Sequence, residues 1–129
     1  MSASISLSPA LILLGHGARD PEWAAPLLTV RDQVRATHPA CRVETAFLEF
    51  MSPDLASRVA ELAQANIQTI TVLPMFIAQG AHLKKKLPLQ VTRLQREYPT
   101  LKLALAPAIG TADQVLAAMS AQASRCLFP

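Results

Sequence analysis

The stretch TITVLPMFIAQGAHLKKKLP, residues 69–88, decides how the rest of the chain is read. Thr69 to Leu73 is a β-branched, near-continuous apolar run, which is how a strand buried on both faces of a parallel sheet reads. The chain breaks at Pro74, passes Phe76 and Ile77, turns at Gly80 and presents His82 directly ahead of Lys84, Lys85 and Lys86. A histidine placed there lies just past the carboxyl end of a strand. In open α/β sheets the loops leaving that edge splay apart and form the crevice in which ligands bind.

Strand-like and helix-like patterns alternate on both sides of this segment. Ala10 to Leu14 is a compact apolar run closed by Gly15-His16-Gly17, a buried strand followed by a tight loop. Asp20-Pro21 signals a helix start, and a helix is expected to about Thr37, with Trp23, Leu27, Val30 and Val34 on its buried face and Arg31, Asp32 and Arg35 in solvent. Pro26 would remove a hydrogen bond inside that helix, so its first turn should be kinked or separate. His38, at the helix end, reads as a surface cation near the negative end of the dipole. Arg42 to Phe50 reads as a second strand that closes on Leu48-Glu49-Phe50, placing a carboxylate at its end. Ser52-Pro53-Asp54 repeats the cap-and-proline signal before a helix carrying Leu55, Val59, Leu62 and Ala63, with Asn66 as a left-handed terminator.

After His82, Leu87, Val91, Leu94 and Tyr98 recur at helical spacing up to Pro99. Leu101 to Ala106 is a fourth strand, Pro107 to Gly110 a loop, and Thr111 to Arg125 a last helix with Val115, Leu116 and Met119 as its apolar stripe. The order βαβαβαβα predicts an α/β fold: a four-stranded parallel sheet of flavodoxin-like type, strand order 2-1-3-4, with helices on both faces. Residues 1–129 are expected to form one domain, with Met1 to Ser8 as a loose lead-in.

Composition bounds the function. Hydrophobic residues make up 51% of the 129 residues and charged residues 16%, so the surface is less charged than usual and suggests a subunit contact. The formal net charge of +3 and pI near 9.2 favour an acidic partner only weakly. Cys41 and Cys126 have no metal-binding or redox spacing, which fits a reduced, cytoplasmic protein. The apolar run near the amino end is too short to span a membrane and lacks a basic leader. Neither GxxxxGK nor GxGxxG occurs, and basic residues are not interleaved with aromatics, so neither a nucleotide nor another organic cofactor nor nucleic acid has motif support.

The residues that remain form a constellation. His16 follows strand one, Glu49 ends strand two and His82 follows strand three, equally spaced at one βα unit apart. In a 2-1-3 order these strands are neighbours, so two imidazoles and one carboxylate meet at one sheet edge. Such a set binds a divalent metal and leaves coordination positions open. Taken singly, each residue has a plainer reading: a histidine hydrogen-bonded in a turn, or a solvated glutamate. The lysine run has one too, as a solvated helix start. Three cations at a helix amino end nonetheless oppose the dipole, which favours an anion among them.

The segments LILLGHGARDP (11–21), VETAFLEFMSPDL (43–55), TVLPMFIAQGAHLKKKLP (71–88) and LALAPAIG (103–110) resemble the class II tetrapyrrole chelatases, in particular the small CbiX-like sirohydrochlorin chelatases. The resemblance spans nearly the whole chain. It implies insertion of a divalent metal, cobalt or iron and less readily nickel, into sirohydrochlorin, a carboxylate-rich tetrapyrrole. It implies His16, Glu49 and His82 as metal ligands, with His16 and His82 also placed to accept pyrrole protons. Arg19, Lys84 and Lys85 would meet the substrate's carboxylates, and Leu48, Phe76 and Ile77 its flat apolar face. Lys86 departs from the family, whose members often have an acidic residue there. A chain of this length resembles half of the double-length members, which implies a homodimer. A metal carrier of the same fold without chelatase chemistry, and an interaction domain with incidental histidines, remain open at this point.

Overall fold

The computed structural model describes residues 8–129, so the expected lead-in, Met1 to Ser8, lies outside the described residues except for Ser8. Four parallel strands, β1 (Ala10–Gly15), β2 (Arg42–Phe47), β3 (Thr69–Pro74) and β4 (Lys102–Leu105), form one sheet in the order β2-β1-β3-β4. This is the expected order. It follows from right-handed crossovers, which carry the chain from β1 outward to β2 and then back across the sheet to β3 and β4.

The helices are α1 (Ala25–Thr37), α2 (Leu55–Gln64), α3 (Ala81–Glu97) and α4 (Asp113–Arg125). Alternate residues of β1 feed two cores. Ile12 and Leu14 join Val59 and Leu62 of α2 and Leu87, Val91 and Leu94 of α3, while Leu13 joins Leu27 of α1 with Val43 and Phe47 of β2. Helices thus cover both faces, but unequally. α4 has no buried residue, and its main contact is with the short 3-10 turn Ile109–Thr111 that leads into it. Of its expected stripe, Val115 and Met119 are half-buried and Leu116 is 45% exposed. The stripe is a correct pattern that this chain does not itself cover.

Several local readings change. The separate first turn expected at Pro26 is a 3-10 turn, Pro21–Ala24, capped by the Asp20 carboxylate, which accepts from the Glu22 N–H at 2.9 Å. That turn breaks the α-helical spacing before α1, so Trp23 is left 43% exposed instead of joining Leu27 in the core. Arg35, expected in solvent, instead donates from Nε to the Val43 carbonyl at 2.8 Å, and Arg58 does the same to Thr45 from the other side of the sheet. Both guanidiniums also pair with Glu44 and so occupy carbonyls on the free edge of β2 that another strand would otherwise use. At the opposite edge, Gln95 of α3 accepts from the Leu103 N–H of β4 at 2.9 Å.

The α2 cap is Asp54 and not Ser52; Pro53 precedes the cap, in a cis peptide bond with Ser52. Asn66 adopts φ 63°, and the Ile67 N–H closes back on the Leu62 carbonyl at 3.1 Å, the expected left-handed termination. β2 ends at Phe47, so Leu48, Glu49 and Phe50 form a bend and not a strand end, with Phe50 at φ 66°. α3 begins at Ala81 with Gly80 as its cap, a full turn earlier than the apolar repeat alone suggests, and Pro88 lies inside it. His82 is therefore a residue of the first helical turn rather than of a loop. Gly17, at φ 90°, is required for a different reason: a Cβ there would collide with the Glu49 carbonyl oxygen.

Two outcomes test this account. The Asp54 carboxylate accepts from the Ser57 N–H at 2.8 Å, and this bond holds its carboxyl below the ordinary value. A lowered folded value means the stabilisation is complete above the unfolded carboxylate range, about pH 4, and is lost as pH falls further. Asp54→Ala is expected to cost about 1 kcal/mol at neutral pH in urea unfolding. That difference from wild type should shrink below about pH 4, while Asp54→Asn keeps most of the stability. Gly17→Ala should destabilise by more than about 1 kcal/mol, whereas Gly80→Ser, at an ordinary φ of −70° with open space around it, should be neutral or stabilising.

Candidate functional site

The carboxyl ends of β1, β2 and β3 open into a crevice of about 640 Å³, within the usual size range of small-ligand pockets. His16, the first residue past β1, Glu49, the second past β2, and His82, on α3, all lie on its walls. All three are exposed. The topology therefore brings the expected trio to one crevice. It does not bring them to ligand distance: among the described residues no three His, Cys, Asp or Glu side chains stand close enough to hold one metal ion together. Closing the trio on a cation requires movement of these exposed side chains.

Two of the three are fixed to one another through the backbone. The β1–β2 ladder continues past the strands, with the Leu48 N–H donating to the Gly15 carbonyl at 3.0 Å and the Glu49 N–H to the His16 carbonyl at 3.1 Å. Gly17 lets the His16 loop lie directly on Glu49. The His16 ring packs against Phe76, with centroids 4.7 Å apart and planes tilted by 42°. Phe76 is 6% exposed, so it stands behind His16 and has no free face for a flat ligand, contrary to the sequence expectation.

The other expected contacts divide. Leu48 lines the crevice. Arg19 lies 4.6 Å over the Phe50 ring in a cation–π contact, outside the crevice lining. Ile77 is 71% exposed but is not among the lining residues, and neither are Lys84 and Lys85. In their place α3 supplies Lys86, Leu89, Gln90 and Arg93. Sequence reasoning assigned Leu89 and Arg93 no site role, although their spacing from His82 on a helix carried the signal. Asp54, the α2 cap, also faces the crevice.

Charge is distributed unevenly. Arg35, Arg42 and Arg58 share Glu44 and Glu61 along the β2 edge, and Arg31 pairs with Asp32. No such pair involves Lys86 or Arg93 among the described residues. The crevice thus combines two imidazoles and the carboxylates of Glu49 and Asp54 with unpaired cations along its α3 wall. Chemically it suits a divalent cation and an anionic organic ligand together.

Comparison with known proteins identifies the family. The CbiX family model matches residues 10–126. A sirohydrochlorin cobaltochelatase of Sulfolobus acidocaldarius is 25% identical over 117 residues, covering 91% of each chain. That of Methanococcus maripaludis is 29% identical over 79 residues, which is 61% of this chain and 55% of the relative; the match spans about half that relative's length. Among solved structures, a cobalamin (vitamin B12) biosynthesis CbiX protein from Marinobacter aquaeolei superposes with a TM-score of 0.80 at 26% identity, over 92% of this chain and 96% of that one. The sirohydrochlorin chelatase SirB from Bacillus subtilis, solved with cobalt, gives 0.76 at 22% identity over 92% of this chain and 50% of its own, a likeness of fold. With a family model that matches from β1 to the end of α4, and a four-stranded parallel sheet that superposes over nearly its whole length on a CbiX structure, the chain belongs to the CbiX family.

Proposed function

We propose that the protein inserts a divalent metal into sirohydrochlorin, with the metal as substrate held by His16, Glu49 and His82. The observation that carries this reading is that these three side chains, two from the loops after β1 and β2 and one from the first turn of α3, line one crevice whose helical wall bears unpaired cations. Neutral imidazoles and one carboxylate hold a cation while leaving positions open for the incoming pyrrole nitrogens. Insertion also requires loss of two pyrrole protons, and His16 and His82, on the crevice wall, are bases of suitable kind once the metal has left them.

Cobalt is the metal named for the relatives in Sulfolobus and Methanococcus, and it is the first choice here. Iron and then nickel are the alternatives; the general affinity series ranks nickel above cobalt and cobalt above iron, so the choice among them rests on geometry and supply and not on raw affinity. Leu48 offers apolar surface inside the crevice, and Ile77 offers it outside. Arg19, Lys84 and Lys85 lie off the walls and act on an approaching polycarboxylate through the screened field.

The test is insertion by purified protein into sirohydrochlorin, followed by absorbance with Co2+, Fe2+ and Ni2+ in turn. Losing an outer-shell partner of a metal site costs about 10- to 100-fold, so losing a ligand should exceed that range. His16→Ala, Glu49→Ala and His82→Ala are each expected to lower kcat/KM by about 100-fold or more with the fold retained. Wild-type rates in His82→Ala would defeat the assignment. Tight cobalt binding without turnover would favour a metal carrier instead. Cobalt affinity should fall as the solution is made acidic, because a protonated imidazole cannot coordinate and metal binding releases protons.

We further propose a homodimer. Its support is the uncovered apolar side of α4 with the exposed Leu127 and Phe128 that follow it, and the match of this chain to half of the SirB chain. Both sheet edges are occupied by side chains, so the contact would be made by helix surface and not by strand pairing. Light scattering should give twice 13.9 kDa at micromolar concentration. Leu116→Glu with Met119→Glu should shift it to the monomer; a wild-type monomer with full activity would refute the dimer.

A further inference from the structure

On α3 the residues His82, Lys86, Leu89 and Arg93 follow one another at intervals of four, three and four, which aligns them in a single stripe along the helix. All four line the crevice, with Gln90 beside them. Lys84 and Lys85 lie off the stripe and outside the lining. At about 1.5 Å per residue, Lys86 stands ~6 Å and Arg93 ~16 Å along the axis from His82. Leu89 lies between the two cations and is 66% exposed, an apolar side chain held open to the crevice.

Two facts single out this stripe. Lys84, Lys85, Lys86 and Arg93 all lack an ion pair among the described residues, but of these four cations only Lys86 and Arg93 line the crevice. The stripe also starts at a residue of the metal-binding trio, so a flat ligand centred on His82 would lay its edge along it.

We infer that Lys86 and Arg93 grip the carboxylate-bearing edge of a flat ligand, with Leu89 against its apolar face and Gln90 within reach of a carboxylate oxygen. This deepens the proposed function and rests on it. The division of labour is by position: His16, Glu49 and His82 meet the centre of the macrocycle, and Lys86 and Arg93 meet its acidic periphery. Lys84 and Lys85 contribute only to long-range attraction.

The test is fluorescence titration of metal-free sirohydrochlorin, at several salt concentrations, into wild type, Lys86→Gln/Arg93→Gln and Lys84→Gln/Lys85→Gln, with Co2+ binding measured separately by calorimetry. A lost charge-assisted hydrogen bond is worth about tenfold in affinity. The Lys86/Arg93 pair variant should therefore bind sirohydrochlorin at least about tenfold more weakly, with a flatter salt dependence, and bind Co2+ within about twofold of wild type. The Lys84/Lys85 variant should lose no more than about threefold, and Lys86→Arg should retain binding within the same margin. Sirohydrochlorin affinity unchanged in the Lys86/Arg93 variant would overturn the inference, and so would loss of Co2+ binding with sirohydrochlorin affinity kept. If wild type binds Co2+ but no sirohydrochlorin, the proposed function itself fails, a result distinct from failure of the stripe alone.

Discussion

The backbone ladder between β1 and β2 does not stop where the strands stop, and the site depends on that. The Leu48 and Glu49 N–H groups bond to the carbonyls of Gly15 and His16, so two loops that would otherwise diverge run together for two more residues. Gly17 makes the approach possible because no larger residue fits against the Glu49 carbonyl. An imidazole and a carboxylate are thereby set on one crevice wall by main-chain hydrogen bonds, leaving their side chains exposed.

The third member of the trio is held differently. His82 sits on α3, whose Leu87, Val91 and Leu94 anchor it in the larger core. Its position is therefore set by helix–sheet packing and not by the strand ladder, and the crevice is the gap between these two supports. Any motion that closes the trio has to come from exposed side chains or from the first turn of α3, since the core beneath is close-packed.

The two faces of the sheet are finished to different degrees. α2 and α3 cover one, but the other has α1 alone, because α4 departs after the 3-10 turn without burying a residue. Meanwhile both edges are occupied, β2 by Arg35 and Arg58 and β4 by Gln95. The molecule is thus guarded against strand-to-strand association and left open to association through helix and sheet-face surface.

Hydrophobic periodicity and proline or glycine signals were enough to determine the four strands, their parallel order and the equal spacing of His16, Glu49 and His82, because buried parallel strands and right-handed crossovers allow few alternatives. Local chemistry likewise marked the separate turn at Pro26 and the left-handed Asn66. Where α3 begins was not legible from its apolar repeat, since the first turn, from Ala81, packs against the crevice and not the core. Nor was the burial of Phe76 behind His16, the reach of Arg35 to a strand edge, or the standing of α4 apart from the sheet. Each depends on which neighbour fills a space, and that is decided by residues distant in the chain. The same holds for the basic run: three consecutive lysines look equivalent in sequence, but helical rotation points only Lys86 into the crevice and adds Arg93 two turns on.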